Sequence, residues 1–183
     1  MLNVLILTLV TNFNFCERAV KKLSLLDNID YEQVEVCKML LEEASYYKLD
    51  THLLLAVSWK ETNLLMKSTP NTSSCVGPLQ IKYRYWCPNK KGRWSIHKKD
   101  GQLSDCDLIE RGVFAFRYYM KKKLPIKEKL CHFGPAYKCK CLFGKNPNQS
   151  KCKNINAKKA ADAIIYVMDI LRYKKRIKNV YKR

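Results

Sequence analysis

The chain lacks an internal repeat, a low-complexity segment and any linker that would divide it. Its 183 residues therefore read as one domain with room for a real core. It lacks a membrane span, because the apolar run Leu2–Val10 is too short to cross a bilayer and no other segment is longer and as apolar. No recognised DNA- or RNA-binding motif is present, and aromatic residues do not interleave with basic ones as they do in RNA-binding strands. Acid is the scarce charge. Sixteen Asp and Glu stand against 35 Lys and Arg, leaving a formal net charge of +19. That balance attracts polyanions, whether a nucleic acid or an envelope rich in carboxylates and phosphate polymers, but it does not specify a fold. The basic residues are densest at 90–99, 121–129 and 172–183, where a solvated basic face accounts for them equally well.

What is present begins with the leader-like run at 2–10. Its length and position suit the apolar centre of a secretory signal, although no Lys or Arg precedes it and no small-x-small cleavage site follows. A signal over residues 1–16 is expected; a buried first helix or strand is the competing reading. Nine cysteines are present: Cys16, Cys37, Cys75, Cys87, Cys106, Cys131, Cys139, Cys141 and Cys152. Loss of a leader through Cys16 would leave eight, enough for four bridges, and that density suits an oxidising compartment. Spacing does not decide the pairing. Cys139-Lys-Cys141, with Cys131-His132 and Cys152 nearby, lacks the two-residue gap and the second matching pair of a zinc knuckle, so no metal is expected.

Apolar periodicity predicts a mainly α chain. Asp30 to Leu49 reads as a helix capped by Asp30, with Val34, Cys37, Leu41 and Ala44 on one face. Asp50 or Thr51 can cap the next helix, on which Leu54, Val57, Ser58 and Glu61 share a stripe. Pro70 to Ser74 marks a loop, and Trp86 to Cys106 reads as a long surface loop. Asp107 to Lys121 is helical, with Ile109, Val113, Phe116 and Met120 in register. Residues 131–156 read as a Cys-rich basic loop region, Ala157 to Arg172 as a closing helix, and 174–183 as a basic tail that frays.

Glu61 carries the chemistry of this pattern. A carboxyl on an apolar stripe loses hydration, which favours its neutral form and raises its pKa. Such a group can protonate a leaving oxygen at neutral pH. Periodicity alone favours an exposed helix end beside Lys60.

The surrounding motifs favour the first reading. Glu61-Thr-Asn-Leu64, followed sixteen residues after Glu61 by Gly77-Pro-Leu-Gln-Ile81, resembles the Glu-Ser-x-aromatic and Gly-Leu-Met-Gln-Ile motifs of the soluble lytic transglycosylases, relatives of goose-type lysozymes. Asp162-Ala-Ile-Ile-Tyr166-Val167 is similar to that family's terminal Glu-Thr-x-x-Tyr-Val helix. Cys131-His-Phe-Gly134-Pro135 stands where the family has Tyr-Asn-x-Gly, and only the glycine matches. Leu64 and Leu79 replace the family's aromatic and Met, and the family's Asn before the middle helix glycine is missing ahead of Gly112.

The resemblance spans about residues 30–173 and implies a lysozyme-like single domain over that range. It implies that Glu61 is the single acid/base residue and that Thr62, Gly77, Gln80 and Ile81 line the sugar cleft. Tyr166 would orient the carboxyl or the saccharide. Gln80 could equally brace its own loop, and Tyr166 could be a core tyrosine with a satisfied hydroxyl. Among the aromatics after the Gly-Gln turn, Tyr83 and Trp86 are expected to stack on sugar.

Two-carboxylate glycosidases place a second acid across the scissile bond. None stands between Gly77 and Ile81; the acids that follow Glu61 are Asp100, Asp105, Asp107 and Glu110, of which Asp105 or Asp107 could fold back. One acid implies an internal route, in which the sugar's own 6-hydroxyl attacks and leaves a 1,6-anhydro-muramyl end. The expected substrate is the peptidoglycan glycan strand, cut by a monomer without a cofactor, in the periplasm, outside the cell or delivered by a phage particle. A hydrolase of the same bond, a basic nucleic-acid-binding protein and a cationic envelope-disrupting protein are the competing readings.

Overall fold

The computed structural model describes residues 2–25, 29–67, 75–87, 107–134, 142 and 157–182, with side chains left out at 2–11, 83–84, 157–159 and 181–182. The architecture is mainly helical. Helix α1 spans Leu2–Ser24, α2 Tyr31–Tyr46 and α3 Thr51–Thr62. A two-stranded antiparallel ribbon follows, with β1 at Cys75–Val76 and β2 at Ile81–Lys82, pairing Val76 with Ile81. The short α4 covers Tyr83–Trp86, α5 Leu108–Met120, α6 Ile126–Phe133 and α7 Ala157–Lys178, and a 3-10 turn at Asn179–Lys182 closes the described chain.

Local chemistry sets the helix starts. The side chain of Asp30 accepts from the Glu32 N–H at 2.9 Å, and that of Asp50 accepts from the Leu53 N–H at 3.0 Å. Asp107 caps α5 by accepting from the N–H groups of Ile109 and Glu110, both at 2.9 Å. Each cap satisfies a donor that has no partner within its helix. Helix α3 ends at Asn63, whose left-handed φ of 58° lets its N–H turn back to the Ser58 and Trp59 carbonyls.

Helix α3 is buried almost all round from Leu53 to Trp59. It lies along α7, whose Ala163, Val167 and Ile170 are also buried, and against α2. A helix apolar on every side belongs in the middle of a core, and α3 carries Glu61 two residues beyond its most buried stretch. Helix α5 contributes Ile109, Val113 and Phe116 to the same core and packs on α2 and α6.

One expectation needs correction. The basic segment from Lys174 does not fray: α7 continues to Lys178, and Ile177 and Val180 are buried. They extend the stripe of Ala163, Val167 and Ile170. Part of the expected leader is continuous with the helical core. Phe15, Cys16, Ala19, Val20 and Leu23 form a buried stripe of α1, which packs on α2 and α7. Cys16 is bonded to Cys37 of α2 across a Cα–Cα distance of 5.8 Å. A cut after residue 16 would remove half of this bridge. Closing a loop of 21 residues in the unfolded chain stabilises the fold by about 3 kcal/mol.

Cys87 and Cys131 are also disulfide-bonded. Cys106, Cys139, Cys141, Cys152, Trp94 and most of the two expected loops lie outside the described residues. Among the described residues, no helix is long and apolar enough to cross a membrane, and no group of three His, Cys, Asp or Glu side chains could hold a metal ion.

Candidate active site

The site is assembled from the end of α3, the turn at 77–80, the end of α6 and the middle of α7. Its foundation is the carbonyl of Pro78, which accepts from the Ser58 hydroxyl and from the Thr62 hydroxyl, each at 3.1 Å. Both hydroxyls are buried, so the turn is clamped to the last two turns of α3. Gly77 has a left-handed φ of 75°, and a Cβ there would lie 3.0 Å from Leu108 Cβ, so both backbone and space call for glycine. Its N–H donates to the Lys67 carbonyl at 2.7 Å. Leu79 is buried against Gly112 of α5, where an added Cβ would meet Leu79 Cδ1 at 3.1 Å. The Gly-Pro-Leu-Gln segment is thus wedged between α3 and α5.

Across from this turn, the Tyr166 hydroxyl of α7 donates a hydrogen bond to Glu61 Oε1. The Tyr166 ring rests on Gly134 at the end of α6; a Cβ at Gly134 would sit 2.5 Å from the ring's Cζ and 2.8 Å from its hydroxyl oxygen. One residue before Glu61, Lys60 donates to Asp169 of α7 at 2.7 Å, and Asp169 also faces Arg172 at 3.6 Å. Two adjacent side chains therefore hold the end of α3 to successive turns of α7.

Burial pushes the Glu61 carboxyl above the ordinary range, against the smaller opposing effects of the Tyr166 hydrogen bond and the Lys60 charge. Burial likewise raises the Tyr166 phenol well above a free tyrosine, and the neighbouring carboxyl adds to this. The phenol stays a donor, and the carboxyl is an acid that keeps its proton to a higher pH than one in open solvent. Both are properties of a general acid held in register by a neutral donor.

Asp107, Glu110 and Glu128 face other partners. Asp107 is occupied as the α5 cap and does not fold back to Glu61. Glu110 faces Arg111 at 3.8 Å, and Glu128 faces His132 on α6 at 3.7 Å. Asp100 and Asp105 lie outside the described residues. Among the described residues, the charged and hydrogen-bonding groups acting on Glu61 are Tyr166 and Lys60.

The structure brings Glu61, Tyr166 and Gly134 together and sets the 77–80 turn on the same helix end. It reassigns several other residues. Thr62 is buried and bonded to Pro78 and Ser58, Ile81 is buried in β2, and Gly77 is packed on Leu108, so these three build the frame and present no side chain to a solute. Gln80 holds a left-handed φ of 47°, and its amide nitrogen donates to the Gly77 carbonyl at 3.0 Å, which braces the turn. The Tyr83 side chain lies outside the described residues. Trp86 packs edge-on against Phe114 and Tyr118 of α5, with centroids at 6.1 and 5.8 Å.

Sequence reasoning missed Ser58 as a partner of the turn, the Lys60–Asp169 strap and the Glu128–His132 pair. Only Asp169, three residues beyond Tyr166 on the same helix, carried a local signal. No family model, curated protein or solved structure matches this chain.

Proposed function

We propose that the protein cleaves the β-1,4 bond between N-acetylmuramic acid and N-acetylglucosamine in peptidoglycan, with Glu61 as the single acid/base residue and a 1,6-anhydro-muramyl end as the product. The observation that carries this reading is the buried, proton-retaining Glu61 carboxyl held by the Tyr166 hydroxyl. Glu61 gives its proton to the bridging oxygen as the C1–O bond breaks. The 6-hydroxyl of the same muramyl ring then attacks C1 and returns its proton to the Glu61 carboxylate. No water is consumed, and the carboxyl ends as it began.

The engagement of Asp107, Glu110 and Glu128 elsewhere supports the one-acid route, because a hydrolase needs a second carboxylate to direct water. The disulfide-bonded Cys16, Cys37, Cys87 and Cys131 support an extracytoplasmic site of action. The net charge of +19 favours approach to an anionic wall.

The test is mass analysis of purified peptidoglycan digested by the wild type and by Glu61→Gln. The expected products are muropeptides one water lighter than hydrolytic ones, and they disappear in the variant. Products of hydrolytic mass would replace the transglycosylase reading with a lysozyme-type one. Glycan cleavage that survives Glu61→Gln would overturn both.

A further inference from the structure

Lys60 and Glu61 are neighbours on α3, so an ammonium stands beside the acid of the site. Opposite charges a few ångströms apart favour each other's ionised forms, and a carboxyl that pairs with an ammonium gives up its proton more readily. Consecutive helical residues point about 100° apart, yet the flexible four-carbon stem of a lysine is long enough to bend toward its neighbour. Here it is drawn the other way. Lys60 Nζ lies 2.7 Å from Asp169 Oδ2, and Arg172 Nη1 stands 3.6 Å from Asp169 Oδ1, so each carboxylate oxygen faces its own cation. The Lys60 and Asp169 side chains are only 27% and 19% exposed, which spares the pair much of the screening that solvent and salt impose.

Tyr166 and Asp169 stand three residues apart on α7, on one side of that helix and on adjoining turns. They meet Glu61 and Lys60 respectively at the end of α3. Helix α7 thereby sorts two side chains of opposite charge: a neutral hydroxyl goes to the acid, and a carboxylate goes to the base. Lys60 accordingly has the smallest of the three influences on Glu61, behind burial and the Tyr166 hydrogen bond. Among the described residues, α2 and α6 add no titratable group to these.

We propose that Asp169 is a positioning residue for Glu61, holding the Lys60 ammonium against α7 so that it does not pair with the acid. This role rests on the cleavage reading above, which makes Glu61 the proton donor. Asp169 acts through Lys60 and not on the carboxyl itself. Without Asp169 the ammonium swings back toward its neighbour, and the acid ionises at a lower pH. A purely structural strap behaves differently, because its loss loosens the helix end without giving Glu61 a cationic partner.

The experiment uses the full chain with isotope-labelled glutamate carboxyls and follows Glu61 by NMR as pH rises. Its signal is assigned by its absence in Glu61→Gln, and no substrate is needed. Asp169→Ala should lower the Glu61 titration midpoint, and Asp169→Asn, which keeps the shape and loses the charge, should lower it by less. In a Lys60→Met background the midpoint should lie above that of the wild type, and Asp169→Ala should no longer move it. Cleavage of purified peptidoglycan is measured in parallel. Asp169→Ala should lose about threefold to tenfold in rate at pH 8 and hold within about twofold at pH 5, a modest effect because Lys60 keeps some contact with water.

A midpoint unmoved by both Asp169→Ala and Asp169→Asn overturns the positioning role. So does a midpoint that falls as far in the Lys60→Met background, since Asp169 would then act without Lys60. A rate loss equal at both pH values, with the midpoint unmoved, reduces the pair to a strap and overturns it as well. Cleavage in a protein whose midpoint stays put defeats this role alone. A midpoint that moves as expected in a protein that leaves peptidoglycan intact defeats the cleavage reading alone.

Discussion

Replacing Tyr166 with Phe removes one hydroxyl from the site while keeping the ring that packs on Gly134. The lost bond is donated to Glu61 Oε1, so its worth depends on whether that carboxyl is ionised. A hydrogen bond to a charged group contributes about 1.5–3 kcal/mol, and one between neutral groups about 0.5–1.5 kcal/mol. Glu61 is a carboxyl whose folded pKa lies above its unfolded value because burial outweighs the hydrogen bond and Lys60. The stability it contributes is therefore fully present below the unfolded pKa and is lost as pH rises through the folded one. The Tyr166 bond opposes that loss. Without it the folded pKa rises further, and the fall in stability toward alkaline pH deepens.

Urea unfolding at pH 4 and pH 8 should then give a destabilisation of about 1 kcal/mol at the acid end and about 2–3 kcal/mol at the alkaline end. In a Glu61→Gln background the two values should converge, since no charge remains to be stabilised. The rate profile on peptidoglycan should show its alkaline limb displaced to higher pH. A destabilisation equal at both pH values, or one whose pH dependence persists in the Glu61→Gln background, would refute the coupling on which the site is built.

Two further outcomes follow from the packing. Gly134→Ala places a Cβ within 3 Å of the Tyr166 ring. It should destabilise by about 1–3 kcal/mol, as overpacking does, and reduce cleavage of purified peptidoglycan by displacing the phenol from Glu61; unchanged thermal unfolding and activity would contradict the contact. Ser58→Ala with Thr62→Val removes both hydroxyls that donate to the Pro78 carbonyl. The double variant should lose about 1–3 kcal/mol in denaturant unfolding, while either single change should cost less because the other hydroxyl still serves that carbonyl.

Much of the helical frame is legible in the chain because stripes and caps are local signals. Val34, Cys37, Leu41 and Ala44 recur at helical steps and are buried, and Asp30, Asp50 and Asp107 cap the helices they precede. The meeting of Glu61 with Tyr166 is expected from motif order. The direction of the motif side chains is not legible. Spacing places Thr62 and Ile81 near Glu61, but their inward orientation follows from the twist of α3 and the two-residue ribbon, which depend on packing across the molecule. The C-terminal stripe is hidden by charge, since Lys174, Lys175 and Arg176 intervene between Ile170 and Ile177. The Cys16–Cys37 bond and the Lys60–Asp169 strap, the latter spanning 109 positions, join segments with no local mark of their partnership.

Packing around Glu61 explains why so few side chains of the Gly-Pro-Leu-Gln segment reach the surface. Burying a carboxyl destabilises its ionised form and so raises its pKa. A loosely held site would relax by admitting water or turning the carboxyl outward, and the raised pKa would be lost. The hydroxyls of Ser58 and Thr62, the left-handed backbones of Gly77 and Gln80 and the Leu79–Gly112 contact prevent the turn from opening. Lys60–Asp169 and Glu61–Tyr166 prevent the helix end from swinging away from α7. The Gly-Pro-Leu-Gln segment thus immobilises the surroundings of the Glu61 carboxyl.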